Sequence, residues 1–264
     1  MTQLLGGALG ENIVVRPLTN GQTATPDDNP IVTIGPSAFS RVRQANRRAP
    51  ILAMLVERPF IKDYALRSPG QISAVYYDVP LELQALIGKA VLPQATKVAI
   101  IASTETAGLY EPVLDKLPAM GLQPRVFIVD SQKDLIPTLV RALSYGDFLL
   151  AGPDDRIYNP STIKHILLTT YRRNRIVIGP SHAYVKAGAL ASGYAPFPAM
   201  AKAAAEQLHH YFGAGELPAP DYPDQYSVEI NSQVARSLNI PLPDKETLEQ
   251  ELDQARSQYE GSEE

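Results

Sequence analysis

The chain contains no cysteine. Disulfides, thiolate metal sites and cysteine nucleophiles are therefore excluded, while the compartment is left open. Long hydrophobic runs are missing as well: no segment reaches the ~18 consecutive apolar residues of a membrane helix. Met1 to Gly10 is apolar and Gly-rich, yet it has neither the basic n-region nor the cleavage site of a signal peptide. Charge of one sign is not concentrated either. The formal net charge is -4, and only Arg41 to Arg48 and Arg172 to Arg175 form small basic clusters. Such clusters suit a helix C-terminus or a solvated helix face. With no basic stripe and no aromatic-basic interleaving, nucleic acid is not an expected partner.

The usual catalytic signatures are also missing. Gly35-Pro36-Ser37-Ala38-Phe39 and Gly179-Pro180-Ser181-His182-Ala183 begin like a nucleophile elbow but lack its closing glycine. Neither a phosphate-cradling Gly-x-x-x-x-Gly-Lys nor a Gly-x-Gly-x-x-Gly occurs. His209 and His210 are adjacent, so on a helix they diverge by about 100° and cannot chelate one metal. His165 and His182 stand alone. Asp154-Asp155 has the composition of an acid-base pair, but neighbouring loop residues usually point apart. No cofactor and no metal are expected, and no enzyme activity.

What the chain does have is strand-helix alternation. Its 264 residues, 45% hydrophobic and 20% charged, suffice for one large or two small domains. Apolar, β-branched runs occur at Asn12 to Leu18, Ile31 to Gly35, Ile51 to Val56, Ile72 to Asp78, Lys97 to Ser103, Arg125 to Asp130, Phe148 to Gly152 and Arg175 to Gly179. Several are nearly continuous in Val, Ile and Leu, as strands covered on both faces must be. Helical periods fall between them, at Ser37 to Arg47, Pro80 to Val91, Ala107 to Met120, Lys133 to Leu143 and Pro160 to Tyr171. Pro80 and Pro160 suit a first helical turn, and Asn159 suits an N-cap. The alternation predicts an α/β fold with parallel sheets and right-handed crossovers.

In such sheets ligands sit beyond the carboxyl ends of the strands. Four of these ends carry small polar residues: Gly35-Pro36-Ser37, Ser103-Thr104-Glu105-Thr106, Gly152-Pro153-Asp154-Asp155 and Gly179-Pro180-Ser181-His182. Helix N-termini offer donors for an anionic group, Ser37 being a candidate cap, and Asp154 suits an ammonium. Tyr158 and Tyr184 are placed to stack on a ring or cation. The candidate ligand-binding residues are thus Gly35, Ser37, Ser103, Thr104, Glu105, Asp154, Tyr158, Ser181 and Tyr184. Ordinary capping, turn formation and core packing explain any single one of them more simply, and it is the coincidence of four loops at equivalent strand ends that points to a site.

The order of segments along the chain carries a resemblance. It runs from Leu92-Pro93 and Lys97-Val98-Ala99-Ile100 through Leu149 to Asp154 and Ile176 to Gly179. Then come Gly188-Ala189-Leu190-Ala191, an Ala-rich helix from Met200 to Phe212, and Ile230-Asn231 with Ala235, Leu238, Ile240 and Pro241. This resembles one family of bacterial ABC-transporter substrate-binding proteins, whose better-known members bind aromatic amino acids. The resemblance runs over most of residues 31 to 243.

It implies two Rossmann-like lobes of the type I periplasmic binding protein architecture, joined by hinge crossovers near Leu92, Pro180 and Tyr226. Residues 1–92 and about 195–226 make the first lobe, residues 93–194 and about 227–243 the second, and 244–264 a polar tail. The implied activity is solute binding in the inter-lobe cleft, possible ligands including an amino acid, for import through an ABC permease at the inner membrane. A periplasmic monomer is expected. Met1 to Gly10 looks like the end of the family's first helix, with Leu4, Leu5 and Leu9 as its apolar stripe. The first lobe therefore looks N-terminally truncated, and a longer gene product with a preceding strand and an export or lipoprotein signal is expected. A short Gly-Thr-Pro-Asp loop after Leu18 replaces a longer helix. The alternative is a sensory or partner-binding module on the same fold, and a Rossmann-like enzyme built on Asp154 ranks third.

Overall fold

The computed structural model describes residues 1–18, 29–244, 246–250 and 254. The loop after Leu18 and most of the polar tail lie outside the described residues. The chain divides into two compact units. Unit 1 holds Met1–Asp78 and Ala195–Tyr226; unit 2 holds Val79–Tyr194 and Ser227–Glu264.

Unit 1 is built on a three-stranded parallel sheet in the order β1-β2-β3, with β1 at Ile31–Ile34, β2 at Ile51–Val56 and β3 at Ile72–Tyr76. β2 and β3 are almost wholly buried, which explains their unbroken apolar runs. Helices α1 (Thr2–Leu9), α2 (Pro36–Ala45), α3 (Arg58–Arg67) and α9 (Phe197–Ala214) complete the unit. α1 packs on α9. Of its expected stripe, Leu5 and Leu9 are buried whereas Leu4 is 40% exposed. The expected strand at 12–18 does not form: residues 13–18 have no regular structure, and Val14 is 71% exposed. Its β-branched residues find no neighbouring strand to pair with among the described residues.

Unit 2 holds a six-stranded sheet in the order β5-β4-β6-β7-β8-β9. The strands are β4 (Lys97–Ala102), β5 (Gln123–Ile128), β6 (Phe148–Leu150), β7 (Ile176–Ile178), β8 (Ala191–Tyr194) and β9 (Ser227–Ile230). All neighbours are parallel except β9, which runs antiparallel to β8 with Ala191 opposite Ile230. Helices α4 (Leu81–Val91), α5 (Glu111–Lys116), α6 (Gln132–Tyr145), α7 (Ile163–Arg172), α8 (His182–Ala187) and α10 (Ser232–Ser237) surround it.

The chain passes between the units after Asp78, Tyr194 and Tyr226. Helix α4 accordingly lies in unit 2, against β6, β7 and β8, and does not precede a crossing at Leu92. The single helix expected over 107–120 is instead α5 flanked by two 3-10 turns, Ala107–Tyr110 and Leu117–Met120. Pro112 and Pro118 each start a new turn there, because proline cannot donate to the preceding carbonyl. Pro160 lies in the turn before α7, whose N-cap is Thr162.

Each unit pins a long helix to a strand through a buried glutamine. In unit 1, Ser73 Oγ donates to Gln207 Oε1 (2.9 Å), and Gln207 Nε2 donates to the Ala74 carbonyl (3.2 Å). In unit 2, Gly193 N–H donates to Gln84 Oε1 (2.8 Å) and Gln84 Nε2 donates back to the Gly193 carbonyl (3.1 Å). Side-chain amides thereby satisfy backbone groups that burial would otherwise leave unpaired. At the outer edge of the second sheet, Arg125 of β5 lies 5.4 Å from both the Phe127 and Tyr145 rings, and Lys97 lies 5.5 Å from Tyr145.

Candidate functional site

At the carboxyl ends of β4, β5 and β6, three loops are tied together by two carboxylates. Asp154, only 2% exposed, follows β6. Its Oδ2 accepts from the Ser103 backbone N–H (2.8 Å) and from the Thr106 hydroxyl, and its Oδ1 accepts from Arg156 N–H (3.0 Å). Burial works to raise its pKa, but these bonds to Thr106, Ser103 and Arg156 outweigh it and hold the carboxyl below its ordinary value. Asp154 is therefore a fixed anion whose donors are already in place. It shapes the site without offering its oxygens to an ammonium.

Asp130, just past the end of β5, ties down the outside of the loop but is exposed, so each of its oxygens can accept a further donor. Its two oxygens accept from Thr104 N–H (2.9 Å) and Thr104 Oγ1 (2.8 Å). The backbone and side-chain bonds from Thr104 hold its carboxyl below the usual range, and Arg156 adds to this. Glu105 pairs with Arg156 at 2.8 Å, both well exposed. The loop 103–106 is thus clamped from two strands.

These loops border a pocket of about 130 Å³. Ser103, Asp130, Ser131, Gln132 and Arg156 supply its polar rim, and Val129, Leu135 and Ile157 its apolar wall. Ser131 is the N-cap of the 14-residue α6; Asp134 N–H donates to the Ser131 carbonyl (3.1 Å), while the Gln132 and Lys133 amides have no partner within the helix and favour an anion. The rim therefore offers both signs of charge over a small apolar floor. Arg156, Asp130 and Gln132 are absent from the sequence-based candidates. The signal for Asp130 was its place at the end of an apolar run; an arginine beside two aspartates carried none.

Tyr158 and Tyr184 belong together, but to each other. Their rings meet edge to face with centroids 6.4 Å apart, and Tyr184 Oη donates to the Tyr158 carbonyl (2.5 Å). Tyr158 is 2% exposed and packed in the core, so its ring has no face for a ligand. Ser181 is the N-cap residue of α8 without a side-chain capping bond. Nearby, His182 Nδ1 stands 3.7 Å from Glu229 and its ring 5.8 Å from that of Tyr194.

Gly35 and Ser37 lie in unit 1. Gly35 is the N-cap of α2 with φ +82°, a conformation that favours glycine, and Ser37 is an exposed first-turn residue rather than the cap. Two further glycines set close approaches in unit 2. A Cβ at Gly152 would lie 2.3 Å from Tyr110 Oη, and one at Gly179 would lie 2.8 Å from Tyr184 Cβ. Among the described residues no cluster of three or more His, Asp or Glu is arranged to hold a metal, and no helix is long and apolar enough to cross a membrane.

No family model matches the sequence, and no curated protein matches it either. Solved structures do. The ABC domain in complex with L-Trp from Streptococcus pneumoniae is 18% identical, with a TM-score of 0.61 over 87% of this chain and 78% of that one. The ligand-free, open structure of CD0873, a substrate binding protein with adhesive properties from Clostridium difficile, gives a TM-score of 0.68 at 15% identity, over 83% and 76%. A conserved domain protein from Vibrio cholerae gives 0.61 at 18%, over 82% and 75%. Likeness at this level defines the fold. The chain has the α/β, type I periplasmic binding protein-like fold of ABC substrate-binding proteins, with two sheets of three and six strands.

Proposed function

We propose that the chain is a solute-binding protein that takes a small molecule at the carboxyl ends of β4, β5 and β6 and hands it to an ABC-type permease outside the cytoplasmic membrane, without catalysing a reaction. The observation that carries this is the pocket of about 130 Å³, with Asp130 and Arg156 on its rim and the N-terminus of α6 beside them. A ligand bearing one group of each charge and a compact apolar part, an amino acid in the simplest case, matches that rim. The carboxylate goes to Arg156 and the α6 amides, and the ammonium to the Asp130 carboxylate, which stays ionised at neutral pH. The fold's likeness to a protein solved with L-Trp supports the same ligand class.

Thermal unfolding against a panel of amino acids, short peptides, purines and polyols tests it. A ligand at 100 times its Kd adds ~2.7 kcal/mol of stability. We expect one amino acid or a small group of them to raise Tm, and Arg156→Ala to abolish that rise. A flat response across the panel refutes the proposal.

A further inference from the structure

Unit 1 carries its own hydrogen-bonded carboxylate, Asp78, in a group of residues that no sequence motif marks. Asp78 follows β3, at the point where the chain leaves the unit. Its Oδ1 accepts from Arg58 N–H (2.9 Å), so it caps the start of α3 from a different element. Its Oδ2 accepts from Tyr222 Oη (3.3 Å).

Tyr222 belongs to the returning segment that leaves unit 1 after Tyr226. Its ring meets that of Tyr76 edge to face at 4.7 Å. Beside the rings, Val75 and Asp221 form a parallel bridge: Tyr76 N–H donates to the Asp221 carbonyl (3.0 Å) and Asp221 N–H to that of Ala74 (3.0 Å). Across the sheet, Tyr77 N–H donates to Val56 (2.9 Å), just past a register shift where Leu55 has φ +54°. A leucine is held in the left-handed region only where its surroundings over-determine it.

The geometry points to a clamp. Asp78, Tyr222 and Arg58 lock together two of the chain's passages out of unit 1, 76–78 and 221–222, so that they loosen as one cooperative piece and not separately. Two strands joined only by a single bridge would fray independently, since local opening follows local contacts. Here the side-chain bonds make each segment's opening conditional on the other's. The inference does not depend on the ligand, and it concerns segments remote in sequence from the pocket residues.

Amide hydrogen exchange by NMR on the full chain tests it, with Tyr222→Phe and Asp78→Asn. In the unaltered protein the Tyr76, Tyr77, Asp221 and Tyr222 amides should share one protection factor. Tyr222→Phe, which keeps the ring and removes only the hydroxyl, should speed exchange at all four by tenfold or more and leave residues 97–102 of β4 unchanged. Asp78→Asn should stay within about threefold, because its carbonyl accepts from Arg58 and its amide donates to Tyr222. Three results overturn the clamp: different protection of the two segments in the unaltered protein, acceleration of one segment alone, or acceleration spread evenly over unit 1.

Discussion

Asp154 in unit 2 and Asp78 in unit 1 occupy comparable places, each just beyond the carboxyl end of a parallel strand, and their acidities move in opposite directions. Asp154 is almost completely buried, yet its pKa falls. At Asp78 desolvation is the largest influence and raises the pKa despite the bonds from Arg58 and Tyr222. The difference lies in how the donors weigh against desolvation. Asp154 accepts two backbone N–H groups and a hydroxyl at close range, whereas Asp78 accepts one N–H and a phenol at 3.3 Å. Desolvation is the largest single influence on both carboxylates; at Asp78 it prevails over the donors, and at Asp154 the combined donors prevail over it.

Breaking the well-supplied member has the largest expected effect. Asp154→Ala leaves the Ser103 and Arg156 N–H groups without an acceptor and takes the Thr106 hydroxyl's charged one, and should cost about 3 kcal/mol in denaturant unfolding. It should also loosen the 103–106 loop. A loss below about 1 kcal/mol would show that the donors find water instead. Gly152→Ala comes next, at about 2 kcal/mol, because its methyl would sit 2.3 Å from the Tyr110 hydroxyl. The expected crystallographic sign is a displaced Tyr110 ring.

The third test uses pH. The lowered pKa of Asp154 contributes stability that is complete above the ordinary carboxylate value of ~3.9 and lost as pH falls through its folded pKa. The raised pKa of Asp78 works the other way: ionised Asp78 costs stability, and that cost is relieved as pH falls through its folded value. Asp78→Asn should therefore change stability at pH 7 by less than about 0.5 kcal/mol and remove that relief, so the variant gains less, or loses more, than the unaltered protein between pH 6 and 4. Identical unfolding curves across that range would sink the assignment. Smallest of all is Glu105→Gln. The exposed pair with Arg156 should be worth about 0.3 kcal/mol in a low-salt melt and vanish at 1 M salt.

Much of the fold was legible because buried parallel strands must be continuous in Val, Ile and Leu, as 51–56, 72–76 and 97–102 are. The exceptions follow from physics the pattern cannot express. Ile13-Val14-Val15 has strand composition, but a strand exists only with a partner. Helix α3 was missed although Phe60, Ile61, Tyr64 and Ala65 recur at helical spacing, because Pro59 and charged neighbours disguise a short element. At the site, the loops that matter could be named from their positions at strand ends. Their internal wiring could not, since Asp154 reaches Ser103 across 51 residues and Thr104 reaches Asp130 across 26. Tyr158 and Tyr184 show the opposite failure. Ring chemistry suits both to a ligand, but Tyr158 is buried in the core, while the half-buried Tyr184 gives its hydroxyl to the Tyr158 carbonyl.

The stacked rim of β5 has a consequence for how copies of this molecule meet in solution. Among the described residues β5 ends its sheet, and a terminal strand is a template on which another chain can continue the ladder. Here Arg125 and Lys97 are held against the Phe127 and Tyr145 rings beside that open border. An approaching β5 from a second molecule would bring its own pair of cations against these, and like charges face to face repel before any peptide group can bond. Crowding is thus resisted at the border itself, most strongly in dilute salt and less as ions accumulate.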